Sequence, residues 1–130
     1  MNARTATQVE GMKAAGRAVR AAFDAMFAAC RPGITTAALD ALGAAELARQ
    51  GARSAPQMYY DFPGATCISV NHQAAHGIPG DLVLQDGDMV NIDVSANLAG
   101  FVADMGESFV VGKSKPEQQR ICTAVREAVL

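Results

Sequence analysis

No stretch of this 130-residue sequence carries a run of lysine or arginine that could track a phosphate backbone, and its formal net charge of -2 comes from interspersed acids and bases. Nucleic acid is therefore not an expected partner. Nor does any segment approach the roughly 18 consecutive apolar residues that a membrane span needs. The opening MNARTATQVEG has no apolar core behind its single arginine, so a secretory leader is not expected either. No membrane partner and a cytoplasmic location follow as expectations. The cysteines, Cys30, Cys67 and Cys122, are odd in number and too widely spaced for a disulfide framework or a CxxC zinc or redox motif. They are expected to be reduced thiols, mostly buried.

What is present is a globular composition. Half of the residues are apolar and 18% are charged, which suits a packed core. The length suits one ordinary domain and is short for a large two-lobed enzyme.

From Thr7 to Cys30, Val9, Met12, Val19, Phe23, Met26, Phe27 and Cys30 recur at helical spacing with charges between them. Pro32-Gly33 stops that helix, and Thr35 or Thr36 caps a second one running to about Gln50, with Gly51 just beyond its end. Residues 52 to 64, punctuated by Pro56, Pro63 and Gly64, read as a loop. Ala65 to Asn71 has strand composition, and the run from His76 to Asp81 is a turn. Asp86-Gly87-Asp88 then opens a strand with Val90, Ile92 and Val94 on one face and Asn91, Asp93 and Ser95 on the other. A return strand spans about Gly100 to Val111. Ser114 and Glu117 make a capping box around Pro116, and Ile121, Val125 and Val129 form the inner stripe of a last helix. That helix ends in Val129-Leu130 with no Gly or Asn to satisfy its final carbonyls, which predicts a chain cut inside a larger fold.

The hairpin yields the sharpest expectation. Pairing around a two-residue turn at Leu98-Ala99 sets Asp93 opposite Asp104. Opposed Cβ atoms sit about 4.5–5.5 Å apart, and like charges there need a cation or a shared proton between them. Carboxylates facing each other from rigid strands commonly hold divalent metals. The alternative is a bulge that slips the register and turns one aspartate to solvent or into a cap.

His76 sits on a Gly-Pro turn after a strand, where an imidazole could bind a substrate backbone or shuttle a proton. Its plainer role is that of a solvated or backbone-satisfied turn residue, and His72 is the weaker candidate, read as solvated. Tyr59, Tyr60 and Phe62 crowd aromatic surface just before Pro63, which suits either an apolar pocket wall or ordinary core packing.

Several segments, in order, resemble the type I methionine aminopeptidases of the pita-bread metallohydrolase superfamily. They are Arg31-Pro32-Gly33-Ile34-Thr35-Thr36 with Leu39-Asp40, Phe62-Pro63, Cys67-Ile68-Ser69-Val70-Asn71 and His76-Gly77-Ile78-Pro79. Asp86-Gly87-Asp88, Asn91-Ile92-Asp93-Val94, Gly100-Phe101 and Asp104 continue the series. The fold that this resemblance implies is α+β, the N-terminal half of a pita-bread fold. Two helices precede a mostly antiparallel sheet with a β-hairpin and a final truncated helix, in a single domain over residues 1–130 whose C-terminal half is missing.

The activity it implies is metal-dependent removal of the initiator methionine from nascent polypeptides, possible at the ribosome, with two divalent ions drawn from Co, Mn, Fe, Zn or Mg. By the same resemblance Asp93 and Asp104 are metal ligands and His76 is the catalytic, substrate-contacting histidine. Tyr59, Phe62 and Cys67 fall where the family lines its methionine pocket. Two departures stand out. The family places His-Gly before the second ligand and Thr after it, where this chain has Val102-Ala103 and Met105. Its remaining ligands, a histidine and two glutamates, come from a second half that this sequence does not contain. A catalytically inactive binding module and a proline-specific peptidase are the competing expectations.

Overall fold

A computed structural model describes residues 4–129 of the chain. Residues 1–3, at the start of the opening segment in which no leader is expected, and Leu130, the expected end of the last helix, lie outside the described residues. Helix α1 (Ala6–Ala29) begins where the Thr5 hydroxyl accepts the Gln8 N–H and the Gln8 side chain accepts the Thr5 N–H, a reciprocal capping box. Its buried stripe is Ala15, Ala18, Val19, Ala22, Phe23 and Met26, so alanines supply half of the face against the sheet. Val9, Met12 and Phe27, expected inside, are exposed. Gly11, not these larger neighbours, meets the hairpin, since a Cβ there would overlap the Phe101 ring, and Phe27 covers Phe109 edge-on from the outside with centroids 4.7 Å apart.

Helix α2 (Thr36–Arg49) is capped by Thr35, whose hydroxyl accepts the Ala38 N–H, and Gly51 follows it at φ +72°, as expected. The segment expected to be a loop instead contains strand β1 (Arg53–Ser54) and helix α3 (Ala55–Tyr60). Ser54 makes this possible, because its hydroxyl caps α3 through the Gln57 N–H while Pro56 occupies the first turn. Strand β2 (Cys67–Val70) is buried throughout.

Strands β3 (Met89–Leu98) and β4 (Phe101–Val110) form the long hairpin, and the other edge of β3 pairs antiparallel with β2 and, further along, with β1. Val90, Ile92, Val94 and Ala96 are fully buried in one core with α1, Leu39 and Leu47. Burying each of the three larger side chains is worth about 1.5–3 kcal/mol. That sum decides which face of β3 turns inward and therefore sends Asn91, Asp93, Ser95 and Asn97 outward.

Two expectations about the ends of these elements are corrected. The hairpin turn is Ala99-Gly100 at φ +52° and +88°, the two left-handed positions of a type I′ turn, with Asn97 Oδ1 accepting the Gly100 N–H. The turn sits one residue later than expected because glycine takes its second central position without strain. The last helix, α4 (Pro116–Val129), has Pro116 in its first turn as expected, but it begins one residue later than a cap at Ser114 implies, and Gln118 rather than Glu117 reaches back, accepting the Lys115 N–H. Its stripe of Ile121, Val125 and Val129 is exposed, since α4 instead turns Arg126 to Glu107 on β4, Cys122 to Met89 at the start of β3 and Gln118 to the Gly87 carbonyl just before it. Of the cysteines, all free, Cys67 alone is buried, whereas Cys30 and Cys122 are half-buried.

Candidate functional site

The outward face of the hairpin carries both aspartates, though not as a directly opposed pair. Asp93 pairs with Gly106, and Asp104 pairs with Ser95. Moving the turn by one residue shifts the register by two, which changes each partner but keeps the face, because side chains alternate with period two. The aspartates are thus diagonal neighbours on one face, close enough for the charge of Asp104 to bear on Asp93. No bulge separates them: the ladder is continuous from Met89↔Val110 to Leu98↔Phe101.

The electrostatics of the pair record an unmet need for positive charge. Asp93 is pushed up to about 6 from 3.8, first by burial, then by the charge of Asp104 and by a hydrogen bond shared with it, while His76 draws it down. Two carboxylates in this situation hold a proton between them or accept a cation. Their oxygens suit hard divalent ions such as Mg²⁺ or Mn²⁺. Among the described residues, no group of three or more His, Cys, Asp or Glu side chains is arranged to hold one ion. The donors present therefore fit part of a divalent site.

Around the pair lies a cleft of about 690 Å³, within the range of small-molecule sites. Asp93, Ser95 and Asp104 form its floor, with Cys67 and His76 beside them and Pro56, Tyr60 and Phe62 as its apolar wall. Cys67 stands opposite Asp93 on β2, and its thiol is pushed up to about 11, by burial first and then by Asp93, Asp40 and Asp104. It is a neutral lining group at pH 7 and no thiolate ligand.

Five of the six residues to which the resemblance assigned a role, Asp93, Asp104, His76, Phe62 and Cys67, come together here. Tyr59 does not. It points to the hairpin, where its hydroxyl accepts the Asn97 Nδ2–H at 2.7 Å, and Tyr60 lines the cleft in its place. Reading residues 52 to 64 as a loop hid the helical rotation that separates neighbouring residues by about 100° and so decides that the largely exposed Tyr60, and not Tyr59, borders the cleft. His72 is exposed and outside the cleft, as expected. Ser95 and Pro56 were missed. The signal for Ser95 was available, since it lies two residues beyond Asp93 on the same strand face.

The cleft's framework is held by side chains remote from its opening. Asp40 accepts the Ala65 N–H, the Thr66 N–H and the Thr66 hydroxyl, and Ser54 donates to the Ala65 carbonyl, which together pin the entry to β2. Asn71 bridges to Met89 and Asp88 at the opposite end of β2.

Comparison with known proteins gives a consistent set of likenesses. Residues 10–130 match the model of metallopeptidase family M24. The chain is 46% identical over 122 residues to methionine aminopeptidase 2 of Bacillus subtilis, covering 93% of this chain and 49% of that protein. It superposes on methionine aminopeptidase from Rickettsia prowazekii with a TM-score of 0.93 and 32% identity, covering 98% of this chain and 52% of that one. A prolidase from Pyrococcus furiosus shares the fold at TM-score 0.81, with 23% identity. The chain spans about half the length of the curated relatives it matches. The α+β architecture of a pita-bread half, expected above, is the one these superpositions show.

Proposed function

The chain belongs to metallopeptidase family M24, and from that premise we propose that it forms one half of a methionine aminopeptidase, removing the N-terminal methionine from nascent polypeptides in the cytoplasm, at the ribosome. What carries this reading is the convergence of Asp93 and Asp104 on the floor of an apolar-walled cleft that His76 also lines.

In this reading Asp93 and Asp104 hold divalent metal, two ions in the complete site, drawn from Co, Mn, Fe, Zn or Mg according to availability. Such ions supply Lewis acidity toward a peptide carbonyl and toward water. Everything else is the work of the chain's own groups. Phe62 and Pro56, with the exposed Tyr60 at the rim, receive an unbranched apolar side chain, and the protonated Cys67 thiol adds a polarizable surface suited to a thioether. His76, exposed at the rim, binds the peptide backbone and carries a proton at its imidazole. Tyr59 acts at one remove, tying α3 to the hairpin and so fixing the wall. The remaining metal ligands come from a complementary segment of the fold, which makes the 130-residue chain by itself a weak metal binder.

One observation favours a second reading, a binding module without chemistry: among the described residues only two carboxylates converge, with no third ligand. One experiment separates the two readings. Mn²⁺ is titrated calorimetrically into the chain and into Asp93→Asn and Asp104→Asn, and methionine release from a Met-Ala-Ser peptide is followed with and without a polypeptide matching the rest of the relatives' length. Weak binding lost in both variants, with release only in the complemented sample, is the expected result. Binding unaffected by either substitution would refute the metal reading, and complementation without release would leave the binding module.

A further inference from the structure

His76 occupies the left-handed region at φ +53°, a conformation that residues with side chains adopt rarely and keep only where their surroundings over-determine it. Its own side chain is exposed, so the constraint must come from the backbone that follows. That backbone is anchored at two points. Gly80 is held by Thr36, whose hydroxyl donates to the Gly80 carbonyl at 3.1 Å and accepts the Gly80 N–H at 2.9 Å. Gly77, directly after the histidine, is held by β2: its N–H donates to Ser69 Oγ at 3.0 Å, and its carbonyl accepts the Ile68 N–H at 3.0 Å.

The fit at Gly77 leaves no slack. A Cβ there would overlap the Ile68 carbonyl and lie 2.9 Å from the Ser69 Cα, so the backbone is pressed flat against the strand. Ser69 is itself only 2% exposed and is fixed within β2, where it pairs with Asn91. Its hydroxyl therefore accepts the Gly77 N–H from a rigid element, one residue away from the imidazole.

We propose that Ser69 is a positioning residue for the cleft: by accepting the Gly77 N–H it holds His76 in its left-handed conformation on the wall beside the carboxylate pair. The proposal deepens the aminopeptidase reading, because the place of His76 matters to it, but its test needs neither metal nor turnover. Ser69→Ala removes the acceptor and leaves a buried N–H unpaired, which lowers the protection of that amide by about tenfold or more. His76 is then released to sample ordinary backbone conformations.

The test is nuclear magnetic resonance on the isotope-labelled 130-residue chain without metal, with hydrogen exchange read at Gly77 and carbon shifts and imidazole resonances read at His76. In Ser69→Ala the expected result is loss of Gly77 protection and motionally averaged His76 signals, with His72 and the α1 amides unchanged. Ser69→Thr, which keeps the hydroxyl, returns both signals to wild type. Unchanged His76 signals in Ser69→Ala would overturn the proposal, as would failure of the threonine variant to restore them. A disturbance spread evenly to His72 and α1 would also overturn it, since that is the mark of a core residue. Where the alanine variant unfolds, Ser69→Cys carries the same comparison, and unfolding of both counts against the proposal. Failure of Mn²⁺ to bind would remove the catalytic reading and leave these measurements untouched.

Discussion

Replacing Asp104 by asparagine should stabilise the metal-free chain at neutral pH while weakening its hold on divalent ions. The two effects have opposite signs for one reason. Asp93 is pushed up to about 6 from 3.8, so its folded form binds a proton more tightly than its unfolded form. A group shifted in this direction contributes its stability in full below pH 3.8 and loses it as pH rises through about 6. A shift of about two units corresponds to roughly 3 kcal/mol, which half-exposure of the carboxyl cuts to about 1.5 kcal/mol. Burial is the largest cause and survives the substitution, whereas the Asp104 charge does not. Asp104→Asn should therefore recover about 0.5–1 kcal/mol above pH 6, or about 2–5 °C in Tm, and nothing below pH 4. Thermal melts of both proteins at pH 4, 5, 6 and 7.5, with chelator and then with Mn²⁺, measure this. The chelated difference should grow between pH 4 and 6, and Mn²⁺ should reverse it by stabilising the wild type alone. A variant that is destabilised at pH 7.5 in chelator, or a difference that ignores pH, would refute the account of the pair.

Asp40→Ala should cost about 3 kcal/mol, because the Ala65 and Thr66 N–H groups and the Thr66 hydroxyl lose their shared acceptor in a buried setting; urea unfolding reads this directly, and Asp40→Asn should recover part of the loss. Cys30 and Cys67, both pushed up to about 11, should alkylate slowly with iodoacetamide at pH 8 and accelerate as pH approaches 10, as peptide mapping by mass spectrometry would show.

Much of the architecture was legible because it follows from patterns whose physical period is unambiguous. The alternation of Val90, Ile92 and Val94 with Asn91, Asp93 and Ser95 assigns the faces of β3, and Thr35 and Gly51 bracket α2 with a cap and a left-handed exit. What failed depended on neighbours the sequence does not name. The α1 stripe was read correctly at Val19, Phe23 and Met26 but not at Val9, Met12 and Phe27, because small side chains carry no hydrophobic signal and Ala15, Ala18 and Ala22 fill the rest of the buried face. Residues 52 to 64 were left without structure since β1 owes its existence to backbone partners on β3, and α3 is too short to show a period. In the cleft, the residues carrying charge or the imidazole were found from spacing and resemblance. Tyr60, named with Tyr59 and Phe62 as a candidate pocket wall, lines the cleft, whereas one step of a helix too short to show a period turns Tyr59 to the hairpin.

The Ala99-Gly100 turn lies at the far end of the hairpin from α4, yet it governs what the hairpin can become. A single residue added there and taken up by a strand rather than by the loop would invert that strand, carrying a carboxylate toward the oily interior and a hydrophobic side chain out to water. Changes of two residues merely slide one strand along the other and leave inside and outside intact. Remodelling of the hairpin tip is therefore admissible where a longer loop takes up the change, or in even steps along the strands.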